Sequence, residues 1–83
     1  MYYVYIVKCK DNTLYTGYTT DVDKRITSHN TGTVGAKYTK ARRPVVLVYK
    51  EEFTAKGEAL KREWAIKKLT RQAKIDLYHK FIL

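Results

Sequence analysis

Tyr2-Tyr3-Val4-Tyr5-Ile6-Val7-Lys8-Cys9, followed after Lys10-Asp11-Asn12-Thr13 by Leu14-Tyr15-Thr16-Gly17-Tyr18, is the stretch that decides the fold. The first run is β-branched and aromatic, with apolar residues at both odd and even positions, the pattern of a central strand covered on both faces. Asp11-Asn12 supplies turn chemistry, and Leu14 to Tyr18 resumes strand composition, so the two runs form an antiparallel β-hairpin. Tyr5 and Tyr15 share a face only if the hairpin loop holds an odd number of residues, because a slip of one residue turns a side chain to the other side. A shared face sets Tyr5 opposite Gly17, where the missing side chain leaves room for the close approach of a ligand.

Downstream, Thr20 with Asp23 forms a variant capping box, and Val22 with Ile26 gives the i, i+4 apolar pair of a short helix running to about Asn30. Gly32 to Arg43 reads as a loop carrying Lys37, Lys40, Arg42 and Arg43, expected to be the most mobile segment and closed by Pro44. Val45 to Tyr49 has the composition of a third strand. Thr54 is placed to cap a helix from Ala55 to Lys68, and Thr70 another from Arg71. The order β-β-α-β-α-α predicts an α/β (α+β) fold, a small, mainly antiparallel three-stranded sheet flanked by helices.

With 83 residues, 45% apolar and 30% charged, the chain is expected to be a single domain over 1–83. At this size roughly 60–65% of the surface is buried on folding, so each core side chain weighs heavily. The lone Cys9 lies in an apolar run and reads as a small buried hydrophobe in a reducing compartment. Neither a signal peptide nor a membrane-spanning run is legible, so a cytoplasmic location is expected. Seventeen Lys and Arg against eight Asp and Glu give a formal charge of +9, which draws polyanions. The basic residues are spread along the chain instead of gathered on one amphipathic helix, which favours nucleic acid over an anionic membrane.

Arg25 and His29, four apart on the first helix, project from one side, either as a phosphate grip or as a solvated face. Glu63 falls in register with Ala55, Ala59 and Ile66, with Leu60 flanking. A carboxylate there needs a cation, either a basic side chain such as Arg25 or a metal. Magnesium suits a lone carboxylate because it retains several waters. Tyrosines in the hairpin are individually explained as core residues with hydrogen-bonded hydroxyls. A glycine-rich phosphate loop, paired cysteines and zinc-type histidine spacing are absent from the sequence. Ser28, the only serine, lies beside His29 on a helix, where adjacent residues face apart, which argues against a serine nucleophile.

Tyr3-Val4-Tyr5, then Tyr15-Thr16-Gly17, then Arg25 and Glu63 resemble the GIY-YIG nuclease family, in particular its small stand-alone bacterial members. The resemblance extends through Asp23-Lys24-Arg25-Ile26, His29-Asn30, Gly35-Ala36-Lys37-Tyr38-Thr39, Arg43-Pro44 and Glu58-Ala59-Leu60 to Lys67. Tyr3 replaces the first glycine of the family motif, and Val4 and Thr16 replace its isoleucines. The resemblance implies that Tyr5, Tyr15, Arg25, His29 and Glu63 converge on one catalytic surface. It implies that Glu63 holds Mg²⁺ or Mn²⁺, that Arg25 stabilises charge on the phosphate, and that Tyr15 or Tyr5 helps activate water; the assignment taken here is Tyr15 as general base with Tyr5 in support and His29 positioning or relaying a proton.

A phenol has an unperturbed pKa of about 10, so such a base needs cations nearby, and Arg25, Lys37 and the metal are the expected ones. Lys37, Arg42 and Arg43 are the expected backbone-binding residues, with Lys61, Arg62 and Lys68 on the outer face of the second helix as further candidates. The leading expectation is a metal-dependent endonuclease acting on DNA more than RNA, in repair or recombination. A catalytically weak nucleic-acid-binding module and a basic protein that docks an acidic partner are the other readings. With no recognition domain legible in the chain, a protein partner or oligomer is expected to supply targeting.

Overall fold

The computed structural model describes residues 1–31, 39 and 41–82. Three strands, β1 (Tyr2–Lys8), β2 (Leu14–Thr19) and β3 (Val46–Phe53), form one sheet in the order β2-β1-β3, with both pairings antiparallel. Three helices complete the described chain: α1 (Val22–Thr31), α2 (Lys56–Lys67) and α3 (Arg71–Ile82).

The central strand is buried on both faces, as its composition requires. Val4 and Ile6 pack with Tyr49, Ala59, Ile66 and Tyr78 beneath α2 and α3, while Tyr5 and Val7 pack with Cys9, Val45, Tyr15 and Ile26 on the side covered by α1. Lys8 pairs with Leu14, leaving a five-residue connection, and Tyr5 stands opposite Gly17, so Tyr5 and Tyr15 share a face. Asp11 builds the turn by accepting hydrogen bonds from the Thr13 amide (3.2 Å) and hydroxyl (2.6 Å), and Asn12 takes a left-handed φ of 67°. A register shift between Ile6 and Val7 marks a bulge in the β1–β3 pairing.

Two helix starts differ from the sequence expectation. On α1 the cap is Asp21, whose carboxylate accepts the Lys24 amide at 3.1 Å; Thr20 stands one residue too early to serve as the cap. On α2 the cap position is Ala55, with no side-chain hydrogen bond, and Thr54 stands one residue too early. Thr70 does cap α3, accepting the Ala73 amide at 3.2 Å. The third strand runs past Tyr49 to Phe53, and Glu51 within it receives Arg62 of α2 through Nε (3.0 Å) and Nη2 (2.9 Å), with the Tyr49 hydroxyl donating to the same carboxylate. Burial and the Glu51 carboxylate push the Tyr49 phenol up to about 12. Most of the expected Gly32 to Arg43 loop, Lys37 included, lies outside the described residues.

Candidate active site

The Tyr5 ring lies across Gly17. A β-carbon built on Gly17 would come within 2.5 Å of Tyr5 Cζ, so the space left by the missing side chain is filled by the protein's own phenol. This corrects the expectation that the gap serves a ligand. The glycine lets the Tyr5 ring lie over β2 and its hydroxyl meet α1.

There, the hydroxyl lies 2.8 Å from His29 Nε2 and accepts a long hydrogen bond from Arg25 Nε at 3.4 Å. Arg25 and His29 are one helical turn apart, and that spacing puts both on the Tyr5 oxygen. His29 Nδ1 continues the row to Thr39 Oγ1 at 2.7 Å. The Tyr15 ring packs edge-on against the same imidazole, 5.5 Å between centroids. Tyr5, His29 and Thr39 are all inaccessible to solvent, whereas Tyr15 and Arg25 are half-buried and reach the surface.

Arg25 Nε can only donate, so the Tyr5 oxygen accepts there and its own proton points to His29 Nε2. The assignment that satisfies this row places the imidazole proton on Nδ1, donating to Thr39. A neutral ring agrees with the electrostatics: burial, then the charges of Arg25 and Arg43, lower the His29 pKa to about 4. Burial raises the Tyr5 phenol, and the Arg25 hydrogen bond and charge only partly offset it. Of the two tyrosines, Tyr5 is therefore held neutral inside the hydrogen-bonded row. With both ring nitrogens occupied and no exposed surface, His29 is not available to grip a phosphate beside Arg25, which corrects that alternative. Arg25 instead lines a surface cleft of about 200 Å³ with Lys24, Ser28 and Thr19 to Asp21.

Glu63 stands on α2 between the buried Ala59 and Ile66, with its side chain 20% exposed. Its recorded ion-pair partner is Lys67 at 3.3 Å, an i, i+4 neighbour, in place of the suggested Arg25. It lies close enough to Tyr5 for its charge to add to the rise in the phenol's pKa. Among the described residues no three His, Cys, Asp or Glu side chains converge on one point. The partly exposed Glu63 carboxylate fits an ion such as Mg²⁺ that binds through one or two carboxylates and otherwise through water and substrate phosphate.

The expected backbone-binding arginines have internal partners. Arg42 Nε pairs with Asp11 at 3.1 Å, and Arg43 Nε donates to the backbone carbonyl of His29. Arg62 is committed to Glu51, so of the further candidates on α2 it serves the sheet. Thr39, the partner of His29, had no assigned role in the sequence reading. Asn30 was also missed: its amide donates to the Val45 carbonyl (3.0 Å) and accepts the Val45 amide (2.7 Å), clamping the end of α1 to the start of β3. The adjacent pair His29-Asn30 was legible as a motif, but nothing in the sequence states which backbone an amide side chain will find.

A hairpin whose two tyrosines meet an arginine and a histidine from the next helix, with a glutamate on the helix after the third strand, defines a class, and the chain belongs to it: residues 1–76 match the GIY-YIG catalytic domain, so this is a member of the GIY-YIG family. Within that family it is similar to the UPF0213 protein of Staphylococcus haemolyticus, 64% identical over 76 residues, covering 92% of each chain. A UPF0213 protein of Staphylococcus epidermidis is 60% identical with the same coverage. The solution NMR structure of a UPF0213 protein from Bacillus halodurans superposes with a TM-score of 0.59 at 51% identity, covering 93% of this chain and 82% of that one. That of a protein from E. faecalis gives a TM-score of 0.64 at 44% identity, covering 96% and 84%. Among the described residues no helix is long and apolar enough to cross a membrane.

Proposed function

We propose that this protein is a metal-dependent endonuclease that hydrolyses phosphodiester bonds, in DNA more readily than in RNA, with a role in repair or recombination. The observation that carries the reading is the row Arg25, Tyr5, His29, Thr39, with Tyr15 against the same imidazole and the Glu63 carboxylate on α2.

Tyr15 is the residue we assign to proton abstraction from the attacking water, because it is half-buried and reaches the surface, whereas Tyr5 is enclosed and held neutral. Tyr5 holds Arg25 through its oxygen and so aims the guanidinium. Arg25, permanently charged, stabilises the negative charge that grows on the phosphoryl oxygens. His29, neutral and fixed by Thr39, keeps Tyr5 in place and receives its hydrogen bond. Glu63 would hold Mg²⁺ or Mn²⁺, which when bound polarises the phosphoryl oxygen and lowers the pKa of water. Lys67 occupies that carboxylate otherwise.

The test is cleavage of labelled single-stranded, duplex and branched DNA, with RNA in parallel, in Mg²⁺, Mn²⁺ or EDTA. Cutting that needs the metal, is abolished by Glu63→Gln and is slowed about 10²–10⁴-fold by Tyr15→Phe is the expected result. Full activity in Tyr15→Phe would remove the base assignment. Salt-sensitive binding with no cutting under any condition would instead mark a nucleic-acid-binding module of the same fold.

A further inference from the structure

Helix α2 buries Ala59 and Ile66, yet Trp64, the only tryptophan of the chain, is 63% exposed, and Leu60 is 40% exposed. Leu60, Trp64 and Lys68 are spaced four apart, so they form one row along the outside of the helix. The Lys68 ammonium lies 3.4 Å from the centre of the Trp64 ring and so covers one face of the indole with a positive charge. Lys61 and Lys67 flank the row, both exposed. Residues 60, 63, 64, 67 and 68 make a continuous stripe at i, i+3, i+4, i+7 and i+8, so Glu63 and its partner Lys67 sit directly beside the aromatic row, on the boundary between the buried and exposed sides of α2.

A large exposed aromatic ring costs solvation and needs a reason, and here its surroundings specify the occupant. Lys61 and Lys68 around one flat apolar surface, with Lys67 held by Glu63 beside them, match a ligand that alternates flat aromatic rings with negative charges. A duplex keeps its bases stacked inside, whereas an unpaired strand offers a base face to the ring and a phosphate to each ammonium. We infer that Trp64, with Leu60 and Lys68, is a stacking platform for an unpaired base of single-stranded nucleic acid, seated next to the Glu63 carboxylate. The inference rests on the nuclease reading in that it supplies the substrate feature recognised beside the scissile phosphate: a single-stranded stretch, flap or gap.

Because Trp64 is the only tryptophan, its emission reports on this platform alone. The 83-residue chain in EDTA is titrated with a single-stranded oligodeoxynucleotide, with the same sequence as a blunt duplex, and with phosphatidylglycerol vesicles; Trp64→Ala and Trp64→Phe are compared by anisotropy of the labelled strand. Quenching by the single strand, with affinity about tenfold weaker in Trp64→Ala, largely recovered in Trp64→Phe and nearly unchanged for the duplex, is the expected pattern. No quenching by the single strand, equal loss for strand and duplex, or a response to vesicles alone would overturn it. Cleavage of the same single strand and duplex by the same proteins, assayed separately in Mg²⁺ without EDTA, separates the two readings. Quenching without cutting in Mg²⁺ removes the nuclease but keeps the platform, and cutting with a silent Trp64 removes the platform only.

Discussion

His29 is a titratable side chain with no exposed surface, and its neutrality follows from what surrounds it: buried apolar neighbours, two arginines, and hydrogen-bond partners at both ring nitrogens. Its pKa is about 4 in the folded chain against about 6.5 when unfolded. Between these values the unfolded chain binds the extra proton, so the stability owed to neutral His29 is fully present above pH about 6.5 and is lost as the pH falls toward 4. The loss is on the order of 2 kcal/mol. Carboxylates titrate in the same range, so the quantity to measure is the difference between wild type and His29→Gln in urea denaturation at pH 7, 5.5 and 4. Wild type should lose stability more steeply than the variant. Parallel curves would mean that the imidazole is protonated in the native state. Gly17 belongs to the same logic at residue scale, since its absent β-carbon is what allows the Tyr5 hydroxyl to reach His29 at all.

Among the elements, those defined by a repeating pattern were legible and those defined by a single contact were not. The apolar residues at both parities of Tyr2 to Cys9 require two covers, and the structure supplies α1 on one side and α2 with α3 on the other. Hairpin parity placed Tyr5 against Gly17 because a two-residue period allows only two outcomes. Helix starts were less legible: Thr20, Asp21 and Thr54 all carry cap-competent oxygens, and the choice among them depends on where the chain leaves the sheet. Of the candidate site, the Arg25 and His29 spacing was readable, but the enclosure of His29 by Thr39 and the pairing of Glu63 with Lys67 depend on tertiary placement. Asn30 is the clearest case. Its amide takes the place of a neighbouring backbone for Val45, so Asn30→Ala leaves a part-buried donor and acceptor unpaired together. The expected cost is about 1–3 kcal/mol, with Asn30→Asp intermediate because it retains the acceptor for the 2.7 Å bond. Thermal unfolding followed by circular dichroism decides; an Asn30→Ala variant as stable as wild type would reduce the clamp to a surface contact.

Across the whole molecule, the +9 charge acts through the distribution of cations that lack an internal carboxylate. Arg62 is bound to Glu51 and Arg42 to Asp11, so both attract a phosphate less than their formal charge implies. The two pairs differ in exposure. The Arg62 and Glu51 side chains are 38% and 23% exposed and join α2 to β3, whereas those of Arg42 and Asp11 are 36% and 47% exposed and lie at the tip of the hairpin. An exposed pair of this kind contributes about 0–1 kcal/mol to folding. Removing the acid from it should therefore leave the fold intact and take one neutralising carboxylate away from the Arg42 guanidinium. Asp11→Asn is the informative change, because the amide oxygen can still accept from the Thr13 amide and hydroxyl and keep the turn. Such a variant should bind single-stranded DNA more tightly than wild type, with a plot of log K against log salt steeper by about 0.7, the increment for one further phosphate neutralised on a single strand. Fluorescence anisotropy over a salt series gives that slope. If Arg42 lies on the path of the strand, tightening and steepening appear together; unchanged affinity with an unchanged slope would place the strand elsewhere and leave α2 with its lysines as the main electrostatic contact.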